Sequence, residues 1–474
     1  MLDKSLIILY FTAMIAVGYY AFRKGRTSSS DGFFVAARKG GTLLMVGSLS
    51  ATFMGSSVVV GMAGRGYSMG LPGAWWLLVG AIGLAILGLF LARRVRRFGL
   101  YTLPGLVEKQ YGRAAALAAS CVIVVAWISI VAAQIIAAGK ILNVLLPGWD
   151  LSLLMGLSAA VFVLYTVLGG QYSIIRTDFI QFGILILGIV VCLGLVINDA
   201  GGVSGLTASL PSDYFKFPVN ASFGWYDWTL FLILTGATYV VGPDIYSRLF
   251  CARDEKVARS SAVIAALMAV PIAFVVILIG MGAKVLFPDI APEQAFPTVI
   301  QELLPVGVSG LVIAALLAAI MSSADTVLMT TSTILGVDIY GKSFPETGER
   351  RVLIISRAGV IFIGGFALLL AMQLQGIISS LFYSYTIFTS GIVIPVLAGF
   401  FKDRLRVNSI GALAAIIGGG GTALAVKLAG IDNLELLGIG VCVILLFGVS
   451  WSTREVEVRY GDKLAWAFLF PTER

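Results

Sequence analysis

Ala318-Ala319-Ile320-Met321-Ser322-Ser323-Ala324-Asp325-Thr326 lies near the middle of an apolar segment that begins after Pro305 and reads as helix to about Tyr340. Two adjacent hydroxyls and a carboxylate at that depth are costly unless something polar or charged meets them. At helical spacing residues 319, 322 and 323 share one face, and so do 322, 325 and 326. Both faces present only oxygens. The first has the Ala319 carbonyl with the Ser322 and Ser323 hydroxyls; the second has Ser322 with the Asp325 carboxylate and the Thr326 hydroxyl. Oxygen-only clusters suit hard cations. Intramembrane Ser and Thr also bond their own helix backbone and let helices pack closely, which is the alternative for Ser-Ser alone. Asp325 in the next turn tips the reading towards an ion site.

Composition supplies the setting. The chain has 474 residues, 59% of them hydrophobic and 12% charged, and its mean hydropathy is +0.98. That much apolar surface belongs in a bilayer, so the fold class is an all-α polytopic membrane protein. The 55 glycines fit close helix packing and interrupted helices. The net charge of +8 is read as cytoplasmic loops, not as nucleic-acid binding. No histidine is present, which excludes His triads, His metal sites and His proton relays. Cys121, Cys192 and Cys442 fall in apolar segments and Cys251 in a basic loop, with no spacing that suggests a metal site or disulfide framework.

Apolar spans fall at about 6–22, 42–64, 71–92, 115–145, 151–169, 178–197, 226–247, 260–285, 306–333, 353–373, 377–400, 407–427 and 434–451. This predicts about thirteen transmembrane helices of ~20 residues. The first, closed by Arg23, Lys24 and Arg26, reads as a retained helix and not a signal peptide. Lys and Arg collect in alternate loops: Arg23 to Lys39, Arg93 to Arg113, Arg176, Arg248 to Arg259, Lys342 to Arg351, Lys402 to Arg406, and the tail with Arg454, Arg459, Lys463 and Arg474. The expectation is a multi-pass protein of the plasma (inner) membrane with its N-terminus outside and its C-terminus, a solvated end carrying Glu455 and Glu457, in the cytoplasm.

Two spans read as broken. The second carries Ser48, Ser50, Thr52, Gly55, Ser56 and Ser57 at its middle, and the seventh carries Gly236 and then Gly242-Pro243-Asp244. Interrupted helices at corresponding places in two halves point to a midplane binding site in an inverted-repeat transporter. Alternatively, Gly242-Pro243 ends the seventh span at the surface, since Arg248 follows so soon.

At this point the chain resembles the sodium:solute symporter family. The motifs are Ser28-Ser29-Ser30-Asp31-Gly32-Phe33-Phe34, Gly61 to Gly70, Thr102-Leu103-Pro104-Gly105-Leu106-Val107-Glu108-Lys109-Gln110-Tyr111-Gly112, Tyr165 to Gly170 with Thr177-Asp178-Phe179-Ile180-Gln181, and the Ser322-Ser323 helix ending Val337-Asp338-Ile339-Tyr340. The resemblance implies a leucine-transporter-like fold within one transmembrane domain. Its two inverted five-helix repeats would be segments two to six (residues 42–197) and seven to eleven (226–400), followed by flanking helices and a tail (401–474). It also implies a Na⁺ site made by carbonyls of Ala51, Met54 and Ala319 and hydroxyls of Ser322 and Ser323. Some members hold a second Na⁺, and the matching positions here are Asp178, Ser322, Asp325 and Thr326. Asp325 stands where a hydroxyl is expected, so a second Na⁺, a proton or a structural hydrogen bond all remain open.

The resemblance further places the substrate pocket beside the break, with Phe53, Ser56, Ser57, Trp75 or Trp76, Gln134 and Tyr239 as candidate lining. Proline transporters carry an aspartate at the position of Phe53, which argues against proline. Trp75 and Trp76 could instead be interfacial anchors, and Gln134 could be helix glue. The implied function is Na⁺-coupled symport of a small polar organic solute (organic acid, amino acid or sugar-like), with a leaning to an organic or amino acid, in a monomer or loose oligomer. A proton-coupled transporter and a sensor acting with a partner are the alternatives. An enzyme is not expected: no nucleophile–base pair is evident, and Asp178 with Asp325 is the only acid pair to consider.

Overall fold

The structure is a computed structural model that describes residues 2–454 apart from Gly25, Thr347, Gln375, Asp432, Asn433 and Glu435. The tail with Glu455, Glu457, Arg459, Lys463 and Arg474 lies outside the described residues. The membrane helices are α1 (Leu2–Arg23), α2 (Thr42–Phe53), α3 (Ser57–Met69), α4 (Leu71–Arg97), α5 (Arg113–Leu145), α6 (Leu151–Asp199), α7 (Trp225–Cys251), α8 (Glu255–Leu286), α9 (Val308–Gly341), α10 (Glu349–Gln373), α11 (Ile377–Gly399), α12 (Ser409–Leu428) and α13 (Leu437–Ser452).

Ten of these helices are long and apolar enough to cross a membrane, and α2 with α3, bent by 58°, makes an eleventh span. The expectation of about thirteen differs from that count in two places. Helix α13 has 16 residues, short of a full hydrocarbon core. Helix α6 runs for 49 residues, about 73 Å if it were straight. It is not straight. Gly170 sits at φ 51° and ψ −170°, a conformation open to glycine almost alone. The hydroxyls of Tyr165 and Thr177 are 2.5 Å apart, whereas twelve residues of straight helix would separate them by about 18 Å. The chain therefore folds back at Gly170, and the expected fifth and sixth segments are its two arms.

Helix α9 is the centre of the bundle: 94% of its most apolar window is buried, against 28% for α1 and 39% for α10. It packs on α6, α5, α10 and α2. Helices at the rim turn Ile8, Leu9, Phe90, Ile361 and Leu369 outward, as a lipid-facing surface requires.

The loops sort onto two faces. On one, Arg38 donates to the Gly99 and Leu100 carbonyls, Arg96 to Ala252, Arg113 to Lys342, Lys402 to Gln110 and Arg357 to Thr27. On the other, Tyr67 bonds Phe287 and Pro288, Tyr214 bonds Tyr67, Trp75 bonds Pro218, Lys140 pairs with Glu293, and Asp3 caps Gly307 and Gly310. Among the described residues, the basic loops near 27–39, 96–113, 252–253, 342 and 402 are thereby joined on one face.

Helix α7 does not end at Gly242-Pro243. It breaks there (Gly242 ψ 128°) and resumes as Pro243–Cys251, wholly inside the protein. Arg248 and Cys251, read from sequence as loop residues, are fully buried.

Gly170→Val is expected to cost about 1–3 kcal/mol through backbone strain, and its side chain would also press on Phe33. The measurement is the melting temperature of the purified protein in detergent. An unchanged value would mean that the reversal does not depend on glycine.

Candidate functional site

The interruption between α2 and α3 faces the middle of α9. Ser322 Oγ donates to the Ala51 carbonyl (3.1 Å) and to the Ala319 carbonyl of its own helix (2.9 Å). Ser323 Oγ lies 3.3 Å from the Ala51 carbonyl and donates to the Thr52 carbonyl at 2.8 Å. Four of the five expected ligands, Ala51, Ala319, Ser322 and Ser323, thus converge. Met54 sits in the non-helical link (φ −99°, ψ 47°), and it is the carbonyl of Thr52, not that of Met54, that Ser323 meets. A serine that donates a hydrogen bond retains lone pairs. Rotating the two hydroxyls would present an all-oxygen set to a hard monovalent cation, which fits Na⁺.

Gly55 makes this closeness possible. A Cβ there would lie 2.5 Å from Ser323 Oγ and 2.9 Å from Gln134 Oε1. Gln134 in turn accepts from the Ser56 backbone N–H at 2.9 Å. Unwinding frees that donor, and a buried side chain takes it up.

Below the serines lies a charged cluster that sequence reasoning only half found. Asp178 Oδ2 receives Ser48 Oγ (2.5 Å) and Arg248 Nη2 (3.0 Å), with both charged side chains fully buried. Arg248 also donates through Nε to Thr52 Oγ1 (3.2 Å) and through Nη2 to Thr326 Oγ1. Asp325 accepts from Thr166 Oγ1 at 3.0 Å. Among Asp178, Asp325 and Thr326, where a second Na⁺, a proton and a structural hydrogen bond were all open, a guanidinium touches the first and the last. Arg248 was missed because charge counting assigns an arginine beyond a Gly-Pro break to a loop. The signal that could have found it is the acid: a buried Asp178 needs a partner.

Beside the break is a small cavity of about 30 Å³. Phe53, Ser57, Gln134 and Tyr239 line it, joined by Trp127, Thr238, Asp244 and Tyr385. Ser56 is buried in the link and does not line it. Trp76 stands one layer back, its ring 6.2 Å from that of Tyr385. Trp75 faces away from it: its indole N–H binds the Pro218 carbonyl at 2.8 Å and its ring stacks on Phe217, so it anchors a loop.

Removing Arg248 strands a buried carboxylate. Arg248→Met is expected to destabilise by about 3–5 kcal/mol, and adding Asp178→Leu to recover most of that loss. A thermal-melt double-mutant cycle checks it. Equal losses in the single and double variants would show that charge pairing is not what Arg248 supplies.

Comparison with known proteins bears on what this arrangement does. Residues 33–419 match the family described as the sodium:solute symporter family. Sodium/glucose cotransporter 4 of Danio rerio is 25% identical over 467 residues, covering 88% of this chain and 70% of its own length. The sodium/glucose cotransporter of Vibrio parahaemolyticus is 28% identical over 465 residues, covering 88% and 84%. Among solved structures, a Na⁺-coupled sialic acid symporter in a substrate-bound outward-open state superposes with a TM-score of 0.79 at 20% identity, over 95% of this chain and 98% of that one. A nucleobase–cation symporter does so with a TM-score of 0.62 at 16% identity. At those identities the structural likeness is one of fold, the leucine-transporter-like fold. With the family profile spanning most of its length, the chain belongs to the sodium:solute symporter family: it is a membrane transporter and not an enzyme, and Na⁺ is its coupling ion.

Proposed function

We propose that this symporter imports a small polar organic solute (organic acid, amino acid or sugar-like) together with Na⁺ held by Ala51, Ala319, Ser322 and Ser323, and that the cavity beside Phe53, Ser57, Gln134 and Tyr239 receives the solute. The glucose in the names of its relatives keeps a sugar-like solute within this reading. The observation that carries it is the contact of the two serine hydroxyls with carbonyls of a helix that breaks at the cavity wall.

Coupling then has a physical route. Na⁺ at the serines joins α9 to the end of α2, and Thr52, Phe53, Gly55 and Ser57, at that end and just beyond it, line the cavity. An ion that fixes the break therefore shapes the solute site, and by linkage the solute raises the affinity for the ion. Movement between outward- and inward-facing states would exchange the contacts of one loop face for those of the other. The two repeats would span residues 42–197 and 226–400, with flanking helices from 401 onward. The basic face, with Arg38, Arg96, Arg113, Arg357 and Lys402, is the cytoplasmic one in this proposal, which puts the N-terminus outside a plasma (inner) membrane.

A second reading concerns Asp325, whose hydrogen bond comes from the neutral Thr166. A carboxylate in that position suits a proton-linked step.

Ser322→Ala with Ser323→Ala is expected to abolish Na⁺-dependent uptake in reconstituted vesicles and to remove any melting shift specific to NaCl over KCl, while the protein stays folded. Unchanged Na⁺ affinity would remove these serines from the site. Asp325→Asn is expected to flatten the pH dependence of uptake; an unaltered pH profile would make Asp325 structural.

A further inference from the structure

Asp244 opens the second half of α7, in the first turn after the break at Gly242. It lines the cavity and is only partly buried, so part of its surface faces that space. Among the described residues no ion pair reaches it. Its carboxylate has the backbone amides of its own helix start and a loose approach by the Trp127 indole. Arg248, one helical turn on, bonds Asp178, Thr52 and Thr326 through Nε and Nη2 and reaches Asp244 only through space.

The charge ledger around the two broken helices is therefore unbalanced. Beside the serines and the cavity three carboxylates, Asp178, Asp244 and Asp325, face one guanidinium, Arg248, while the other arginine of the broken helices, Arg65, lies over the Trp76 and Phe231 rings and does not line the cavity. Na⁺ at the serines supplies one further positive charge. A carboxylate in a membrane interior needs a counter-charge, and after Na⁺ has bound one of the three still lacks it; of the two outside an ion pair, Asp244 and Asp325, Asp244 is the one that lines the solute cavity.

The rest of the lining argues the same way. Most of its polar side chains are already engaged: Gln134 with Ser56, Thr238 with Leu234 and Thr389, Ser323 with Thr52, and Thr52 with Ser48 and Arg248. The Ser57 hydroxyl and the Gln134 side-chain N–H groups stay open to a solute, but no Lys or Arg lines the cavity to hold an anionic acid. What remains beside Asp244 is a set of aromatic rings, those of Phe53, Trp127, Tyr239 and Tyr385. Phe53 and Tyr239 meet edge to face at 6.0 Å. A carboxylate among aromatic faces is the chemistry that binds ammonium groups, by charge and by cation–π attraction.

We propose that the co-transported solute carries a positively charged nitrogen, an amine or quaternary ammonium group, which Asp244 receives in this aromatic-walled cavity. This rests on the symport reading given above and narrows its solute. Amino acids remain within it through their ammonium group; sugars and simple organic acids do not.

The test is thermal stabilisation of the purified full-length protein in NaCl and in KCl. The solutes are ethanolamine, tetramethylammonium, a set of amino acids, lactate, acetate and glucose. Ammonium-bearing solutes are expected to give a further shift in NaCl, and Asp244→Asn to weaken that binding about tenfold to a hundredfold while leaving the shift due to Na⁺ alone intact. Asp244→Glu, which keeps the charge, should retain the preference for ammonium. A Na⁺-dependent shift with lactate, acetate or glucose that survives in Asp244→Asn overturns the proposal, as does the failure of every ammonium-bearing solute in wild type. Loss of the NaCl-over-KCl shift in wild type would instead strike at the Na⁺ site itself, so the two failures are distinguishable.

Discussion

Hydrocarbon offers no hydrogen bonds, so every backbone group released by breaking a helix in a membrane must find a partner within the protein. This chain breaks two helices beside one cavity and answers the demand with side chains. The carbonyls of Ala51 and Thr52 receive the hydroxyls of Ser322 and Ser323, and the Ser56 N–H is taken by Gln134. The most buried helix, α9, is the one that supplies the hydroxyls, and Gly55 is the gap that lets it come close enough. Remove the breaks and the polar stripe on α9 would have nothing to meet. Remove the stripe and the breaks would be orphaned.

The same logic governs the charges. Asp178 can be fully buried because Arg248 reaches it, and Arg248 can be buried because Thr52 and Thr326 take up further N–H groups. Helices α2, α6, α7 and α9 each contribute at least one member to this network. Its residues lie within a turn of the cavity wall on α2 and of the serine pair on α9, so ion, solute and charge network share the same backbone.

Much of this was legible from the chain alone, and what was not has identifiable reasons. The Ser322 face could be read because helical periodicity fixes which residues share a side, whatever surrounds them. The sorting of loops could be read because lysine and arginine avoid hydrocarbon. The break in α2 declared itself through its clustered Ser and Gly. Arg248 did not, because the rule that sends cations to loops has no knowledge of a buried acid seventy residues away in sequence. The reversal at Gly170 was visible only as two apolar runs with Arg176 between them; its sharpness depends on a single φ value. Trp75 and Trp76 are neighbours of the same residue type, and only packing assigns one to a loop anchor and the other to the layer behind Tyr385. Asp244 was noticed as part of a Gly-Pro-Asp interruption, but that no ion pair reaches it is a property of three dimensions.

The hydrogen bonds on the basic face carry one further implication. Arg38, Arg96, Arg113, Arg357 and Lys402 spend their donors on backbone carbonyls of neighbouring loops. They behave as clasps between segments more than as charges offered to lipid headgroups. A carbonyl released by such a clasp at the edge of the membrane is met at once by water, and so is the guanidinium that leaves it. Prising this face apart thus exchanges one well-solvated bond for another. The cationic residues of this face thus form a closure that can be undone at small net cost in free energy.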